Sequence, residues 1–319
     1  MPIRFNSSSL GEGSAPQLKA HQWQIDFTYR YLPGGPWYVG TKATPSAAPF
    51  GQPVDLHINS FEVSVDYGVT DRFNVTLDVP FQYGTQSRVY PDLNYHEVSA
   101  GGLGDIGFFG TYWLLNPKKH LASNIALSLG VKTPSGNNEV MDNSWNANGS
   151  VTRAPVDQSI QLGDGGWGVI FQAQGYKQLF KRTTGYANGL YLLSPKDTTN
   201  VASPVAGATL SVPDVYSVRA GIAYALSPEH GFSASLGVRI DGIPVNDIAG
   251  KSDGFRRPGY NFYVDPGVSY THGHHILAVN IPASVYQDFK HSNLDVKLHR
   301  VGGGDLATYL ILAQYSYRF

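Results

Sequence analysis

The sequence predicts an all-β protein, a transmembrane antiparallel β-barrel of about twelve strands. Apolar and aromatic residues recur at every second position along many segments, with polar residues between them. That is the period of a strand lying between two different media. The connections between these segments alternate short and long, as in barrels with tight turns on one side of a membrane and long loops on the other. No run of the 319 residues approaches the ~20 apolar positions of a membrane helix, so strands must do the crossing.

The first strand is expected over 21–32, with Trp23, Ile25, Phe27, Tyr29 and Tyr31 on one face. The second (57–69) shows Phe61, Val63, Val65 and Tyr67, and the third (73–84) Phe73, Val75, Leu77, Val79, Phe81 and Tyr83. Ile106, Phe108, Tyr112 and Leu114 mark the fourth (103–115); Ile125, Leu127, Leu129 and Val131 mark the fifth (121–133). The sixth (165–179) carries Trp167, Val169 and Phe171, while the run Leu190 to Leu193 blurs the seventh (184–194). Strands eight (214–226), nine (231–243), ten (259–271) and eleven (275–287) repeat the pattern. The last closes the chain with Tyr315, Tyr317 and Phe319.

None of these outward stripes holds a charged residue, which fits lipid contact, since Lys or Arg at mid-membrane costs roughly 2–4 kcal/mol. The short connections are Thr70–Arg72, Asn116–His120, Phe180–Thr183, Ser227–Gly231 and His272–His274. The long ones are 33–56, 85–102, 134–164, 195–213, 244–258 and 288–306. In the last of these, Leu294, Val296 and Leu298 alternate with Asp295, Lys297 and His299 and predict a strand extended above the membrane. Residues 1–20 read as a mobile terminus or a segment entering the lumen, and 21–319 as the barrel.

Mean hydropathy is −0.20, because inward polar residues cancel outward apolar ones. A net charge of −1 with mixed signs excludes a nucleic-acid footprint, and the absence of Cys excludes disulfides and thiolate metal sites. The opening Met1-Pro2-Ile3-Arg4-Phe5 has no apolar signal core, so an exported form is expected to have lost its signal peptide. Gly102, Gly104 and Gly107 match a dinucleotide fingerprint formally. The following residues continue as a strand where that motif needs a helix, so the glycines are better explained by a bend on re-entry to the barrel. His272, His274 and His275 share a turn without a completing carboxylate or thiol, which favours a solvated turn over zinc.

The opposite phase of the strands should line the lumen. It places Glu62, Asp66 and Asp78 on strands two and three, and Arg219 and Arg239 on strands eight and nine. The turn register sets Arg219 across from Arg239, with Asp241 diagonal to them and Asp265 on the next strand within reach. These hairpins lie six strands apart in a ring of twelve. An acidic wall would then face a basic one and set up a transverse field. The competing expectation is that the same residues pair along the wall and fill the pore. Phe109, Trp113, Tyr263 and Tyr286 are expected to point inward and narrow the lumen further.

Tyr67-Gly68-Val69-Thr70-Asp71-Arg72-Phe73-Asn74-Val75, then Val79-Pro80-Phe81, Gly102-Leu103-Gly104-Asp105-Ile106, Gly130-Val131-Lys132-Thr133-Pro134-Ser135-Gly136 and the terminal Phe319 occur in that order. This order resembles the bacterial outer-membrane family called "MetA-pathway of phenol degradation", a family of transporter barrels. The resemblance implies an outer-membrane location and, in some members, an association with the breakdown of aromatic compounds. It transfers no catalytic residue.

The function expected is a channel for passive passage of a small organic solute such as an aromatic acid or phenolic, with Tyr263 and Tyr286 stacking on its ring. A non-conducting barrel acting as an anchor or partner subunit is the alternative. A lipid-acting enzyme is the third reading, because the outer-membrane phospholipase A also has twelve strands. Here His21, His57, His230 and His275 lack that enzyme's local signature. Expected partners are outer-membrane lipids, lipopolysaccharide, the solute, and the barrel-assembly machinery through Phe319, with no cofactor and no nucleic acid.

Overall fold

The computed structural model describes residues 17–305 and 307–319. The chain enters the barrel wall as β1 (Trp23–Pro33), passes the short ladder of β2 (Tyr38–Val39) and β3 (Lys42–Ala43), and returns as β4 (Asp55–Gly68). A tight turn leads to β5 (Phe73–Val89), which continues beyond the wall to pair with β6 (Tyr95–Leu103). After a break at 104–106 come β7 (Gly107–Trp113) and β8 (Ser123–Lys132). The next long connection folds the hairpin β9 (Met141–Trp145) and β10 (Val151–Pro155).

The wall resumes with β11 (Gly168–Phe180) and β12 (Thr183–Leu193). Beyond the outer pair β13 (Thr198–Ala202) and β14 (Thr209–Ser211) lie β15 (Val215–Ser227) and β16 (Phe232–Ile243). β17 (Gly259–His272) pairs with β18 (His275–Asn280) and then with β19 (Ala283–Phe289), one wall strand interrupted at Ile281–Pro282. The α-helix among the described residues, α1 (Asn293–Lys297), precedes β20 (Ile311–Arg318).

β20 pairs with β1 from Gln24↔Arg318 to Tyr31↔Ile311, and this closes a twelve-stranded antiparallel barrel. Closure leaves the wall without a free edge, the condition for a sheet to cross a bilayer. The partition of side chains is inverted relative to a soluble protein. Phe27, Phe61, Leu129, Phe171, Leu236 and Val268 are exposed on the outer surface, whereas Asp26, Thr28, Ser64, Ser128, Arg219 and Asp265 are buried within. The Leu190–Leu193 run is explained by two-sided contact, since Leu190 and Leu192 point inward against Phe109 and Ile170.

Three expectations are corrected. Segment 85–102 is mostly strand: β5 and β6 pair to Val89↔Tyr95, and the reversal is confined to a turn in which Asp92 accepts from the Asn94 amide. Leu294, Val296 and Leu298 do not extend a strand: residues 293–297 are helical. Ser292 and Asp295 form a reciprocal capping box that satisfies the first amide donors of α1, and Leu294 is buried while Val296 and Leu298 stay exposed. Tyr286 faces outward. The pairing shifts from Tyr263↔Ser284 to Phe262↔Tyr286, so Val285 is an extra residue whose bulge reverses the phase of β19.

Candidate functional site

A cavity of about 170 Å³ occupies the short-turn half of the lumen. Glu62 and Asp66 of β4 and Asp78 of β5 line it, as the inward phase predicts, together with Asp26 of β1. Gln24, Gln172, Gln174 and Gln314 add amides, and Phe109 and Trp113 supply aromatic surface. The described lining thus contains four carboxylates and no Lys, Arg or His. Asp66 accepts a hydrogen bond from the Thr76 hydroxyl, and Gln24 donates to both oxygens of Asp26 at 2.9 and 3.1 Å. The guanidinium of Arg318 is turned to Gln24 at 2.8 and 3.0 Å.

Arg219 and Arg239 are paired across β15 and β16 as expected, yet they do not make a basic wall. Arg219 Nε donates to Asp265 at 2.5 Å, and Arg239 Nε donates to both oxygens of Asp241 at 2.8 and 2.9 Å. Ser217 completes the Asp241 shell, Asn280 donates to Asp265 at 3.1 Å, and the Tyr186 ring lies 4.9 Å from the Arg219 guanidinium. Two cations and two anions in one sealed cluster cancel, so the transverse field reduces to the acidic side alone. Like charges across a ladder are tolerated here because each has its own counter-ion.

Tyr263 is inward and 2 % exposed, but it lies in the cluster that roofs the lumen. That cluster fills the long-loop half. Val156, Ile160 and Leu162 from the β10–β11 connection, with Ala307 and Leu310 before β20, pack on Leu32, Leu56, Ile58, Val98 and Ala100 of the surrounding strands. Gln82 donates to the Ile160 carbonyl at 3.4 Å. The barrel is therefore a polar acidic chamber beneath an apolar plug.

Buried charges hold the plug at both ends. Lys132, at the end of β8, donates to Asp105 at 3.0 Å, to Asp164 at 2.6 Å and to the Gly166 carbonyl at 2.7 Å. At the other end Arg257 makes a two-pronged pair with Asp157, at 2.9 and 3.0 Å. Burial alone would raise the Asp157 carboxyl, but the Arg257 guanidinium outweighs it and holds the acid well below the usual carboxylate range. Burial pushes the neighbouring Asp305 carboxyl up to about 6, with Arg257 offsetting part of the rise.

Asp26, Arg30, Lys132, Asp105 and Asp164 were not singled out from the sequence. Asp26 and Arg30 carry the same signal as Glu62, the polar phase of a lipid-facing strand. Asp105 and Lys132 lie within the motifs of the family resemblance, but no periodicity reports their cluster, since its members come together only when a loop folds back. His21 and His57 bond Tyr67 and Tyr31, His275 bonds Tyr315, and His230 bonds Ser227 within an exposed turn.

Neither a protein-family model nor a curated protein matches the sequence. Among solved structures, an outer membrane channel from Pseudomonas putida F1 superposes with a TM-score of 0.64 at 15% identity, over 98% of this chain and 100% of that one. The shared fold is an outer-membrane β-barrel. More distant likenesses include the β domain of a Bordetella autotransporter (TM-score 0.49, 13% identity, 94% and 100% covered). Another is the P. putida toluene transporter TodX (TM-score 0.40, 10% identity, 95% and 90% covered). The barrel architecture rests on the chain's own closed strand pairing and on the first of these superpositions.

Proposed function

We propose that the protein is an outer-membrane channel for passive passage of small organic solutes, with the short turns in the periplasm and the long loops outside. The chamber carries this reading: a polar cavity sealed from lipid by a closed wall has the character of a solute path, and Phe109 and Trp113 give it faces on which a ring can stack. The motif resemblance to the phenol-degradation barrels supports the same class of solute. Four carboxylates without a lining cation disfavour aromatic acids and favour neutral phenolics or amine-bearing compounds. Lipopolysaccharide and lipid surround the wall in this reading, and the exposed terminal Phe319 is available to the assembly machinery. No chemical step on the solute is part of it.

Single-channel recording in a planar bilayer tests the proposal. Discrete conductance steps that phenol or an aromatic amine blocks would support it. The apolar plug favours one second reading, a non-conducting barrel whose loops bind a partner. Silence at every voltage, persisting after the plug is removed, would select that reading instead.

A further inference from the structure

The proposed channel function leaves one part of the molecule unexplained: the segment 156–164 that crosses the lumen. Its apolar side chains sit in notches cut for them in the wall. A Cβ placed on Gly84 of β5 would lie 2.8 Å from Ile160 Cγ2, and one on Gly102 of β6 would lie 3.0 Å from Leu162 Cδ1. Ile160 is completely buried, in the middle of the path a solute would take. At Ile160 itself the contact is made by shape, with one long hydrogen bond from Gln82, so this side chain can leave its notch without stranding a buried charge. Gln158, which donates to the Ser211 carbonyl at 2.9 Å, and Gln161, which donates to the Val140 carbonyl at 3.3 Å, must exchange those bonds for water as the segment moves.

The two ends of the segment differ in kind. Lys132, Asp105 and Asp164 are each no more than 5 % exposed, and the Gly136 amide also donates to Asp105, at 2.9 Å. Opening that end would leave a buried ammonium or carboxylate without a counter-charge, so it stays fixed. Arg257 at the far end is 17 % exposed at the mouth. It lies 5.5 Å from the Trp37 ring and 5.2 Å from the Phe255 ring, and it faces a second carboxylate, Asp305, besides Asp157. When Asp157 leaves, Arg257 keeps a partner and its access to water.

We infer that residues 156–164 are the gate of the channel, hinged at the Lys132–Asp105–Asp164 cluster and latched by the Asp157–Arg257 pair. The inference rests on the channel reading and adds that conduction requires the latch to open and Ile160 to leave its notch.

The chain has no cysteine, so a cross-link can be introduced cleanly. An added Gly84 Cβ would stand 3.1 Å from Ile160 Cβ, close to the ~3.8 Å a disulfide spans. In the Gly84→Cys/Ile160→Cys protein, oxidation should abolish conductance and reduction should restore it, each molecule serving as its own control. Arg257→Gln, without the cross-link, should raise the open fraction by about tenfold, the effect of removing an interaction that favours only the closed state. Equal conductance in the oxidised and reduced forms, with the disulfide confirmed by mass, would overturn the gate and leave the channel standing. Absence of conductance in wild type, in Arg257→Gln and in a folded variant lacking 157–162 would instead overturn the channel reading, and the gate with it.

Discussion

Arg219 and Arg239 stand directly opposite each other in the β15–β16 ladder, and each turns its guanidinium to a different aspartate, Asp265 and Asp241. The arrangement is neutral and sealed, with Arg239 and Asp265 wholly buried. Its role follows from what happens when one member is lost.

Asp265→Asn would leave the Arg219 charge buried without its counter-ion and should destabilise the barrel by about 3–5 kcal/mol. Replacing both partners, Arg219→Met with Asp265→Leu, should cost less than the single change, because no charge is then stranded. Urea unfolding in detergent micelles measures both. A double variant less stable than Asp265→Asn would show that the cluster stabilises the wall by more than charge balance.

The acidic chamber should make the pore prefer cations. In a salt gradient the reversal potential should carry the cation-selective sign, and Asp66→Asn with Asp78→Asn should reduce the cation-to-anion permeability ratio about threefold or more. Arg219→Ala with Arg239→Ala should act mainly on stability. An anion-selective wild type would sink the view that Asp241 and Asp265 neutralise the arginines.

The wall was legible because its period is two and its two faces meet opposite environments. Phe27, Leu129 and Leu236 could be assigned outward, and Glu62 and Arg219 inward, by counting alone. The register of Arg219 opposite Arg239 followed from the length of one turn. What escaped is whatever does not repeat. Val285 inserts one residue and reverses Tyr286, and a single sequence gives no sign of a bulge beyond a nearby Pro282. The alternation of Leu294, Val296 and Leu298 mimicked a strand, while the Ser292–Asp295 box that decides for a helix went unread. The plug contributes its residues through one long connection, so no periodicity reports that Ile160 enters the lumen.

The mouth should respond to pH through Asp305. Its carboxyl titrates near 6 in the folded protein, above the ~3.9 of an unfolded aspartate. The folded state therefore holds this proton where the unfolded state releases it, and the group's contribution to stability falls as pH rises from about 4 through about 6. Asp305→Asn should match wild type near pH 4 and exceed it by about 1–3 kcal/mol at pH 8. Thermal unfolding at the two pH values reads the difference. A variant less stable than wild type at pH 8 would mean that Asp305 is valued as an ionised partner of Arg257.

Tyr263 and Tyr286 separate the roles that sequence reading joined. Tyr263 is packed among Leu32, Ile160 and Leu310 in the roof, whereas Tyr286 lies on the outer surface with its ring 5.9 Å from Tyr260. Tyr263→Ala should therefore leave a cavity under the plug, destabilise by about 3–5 kcal/mol and raise conductance. Tyr286→Ala removes outer-surface contact, including that with the Tyr260 ring, and should leave conductance and solute block unchanged. Loss of solute block in Tyr286→Ala with wild-type behaviour in Tyr263→Ala would reverse the assignment, and would place the β19 bulge on the other side of Val285.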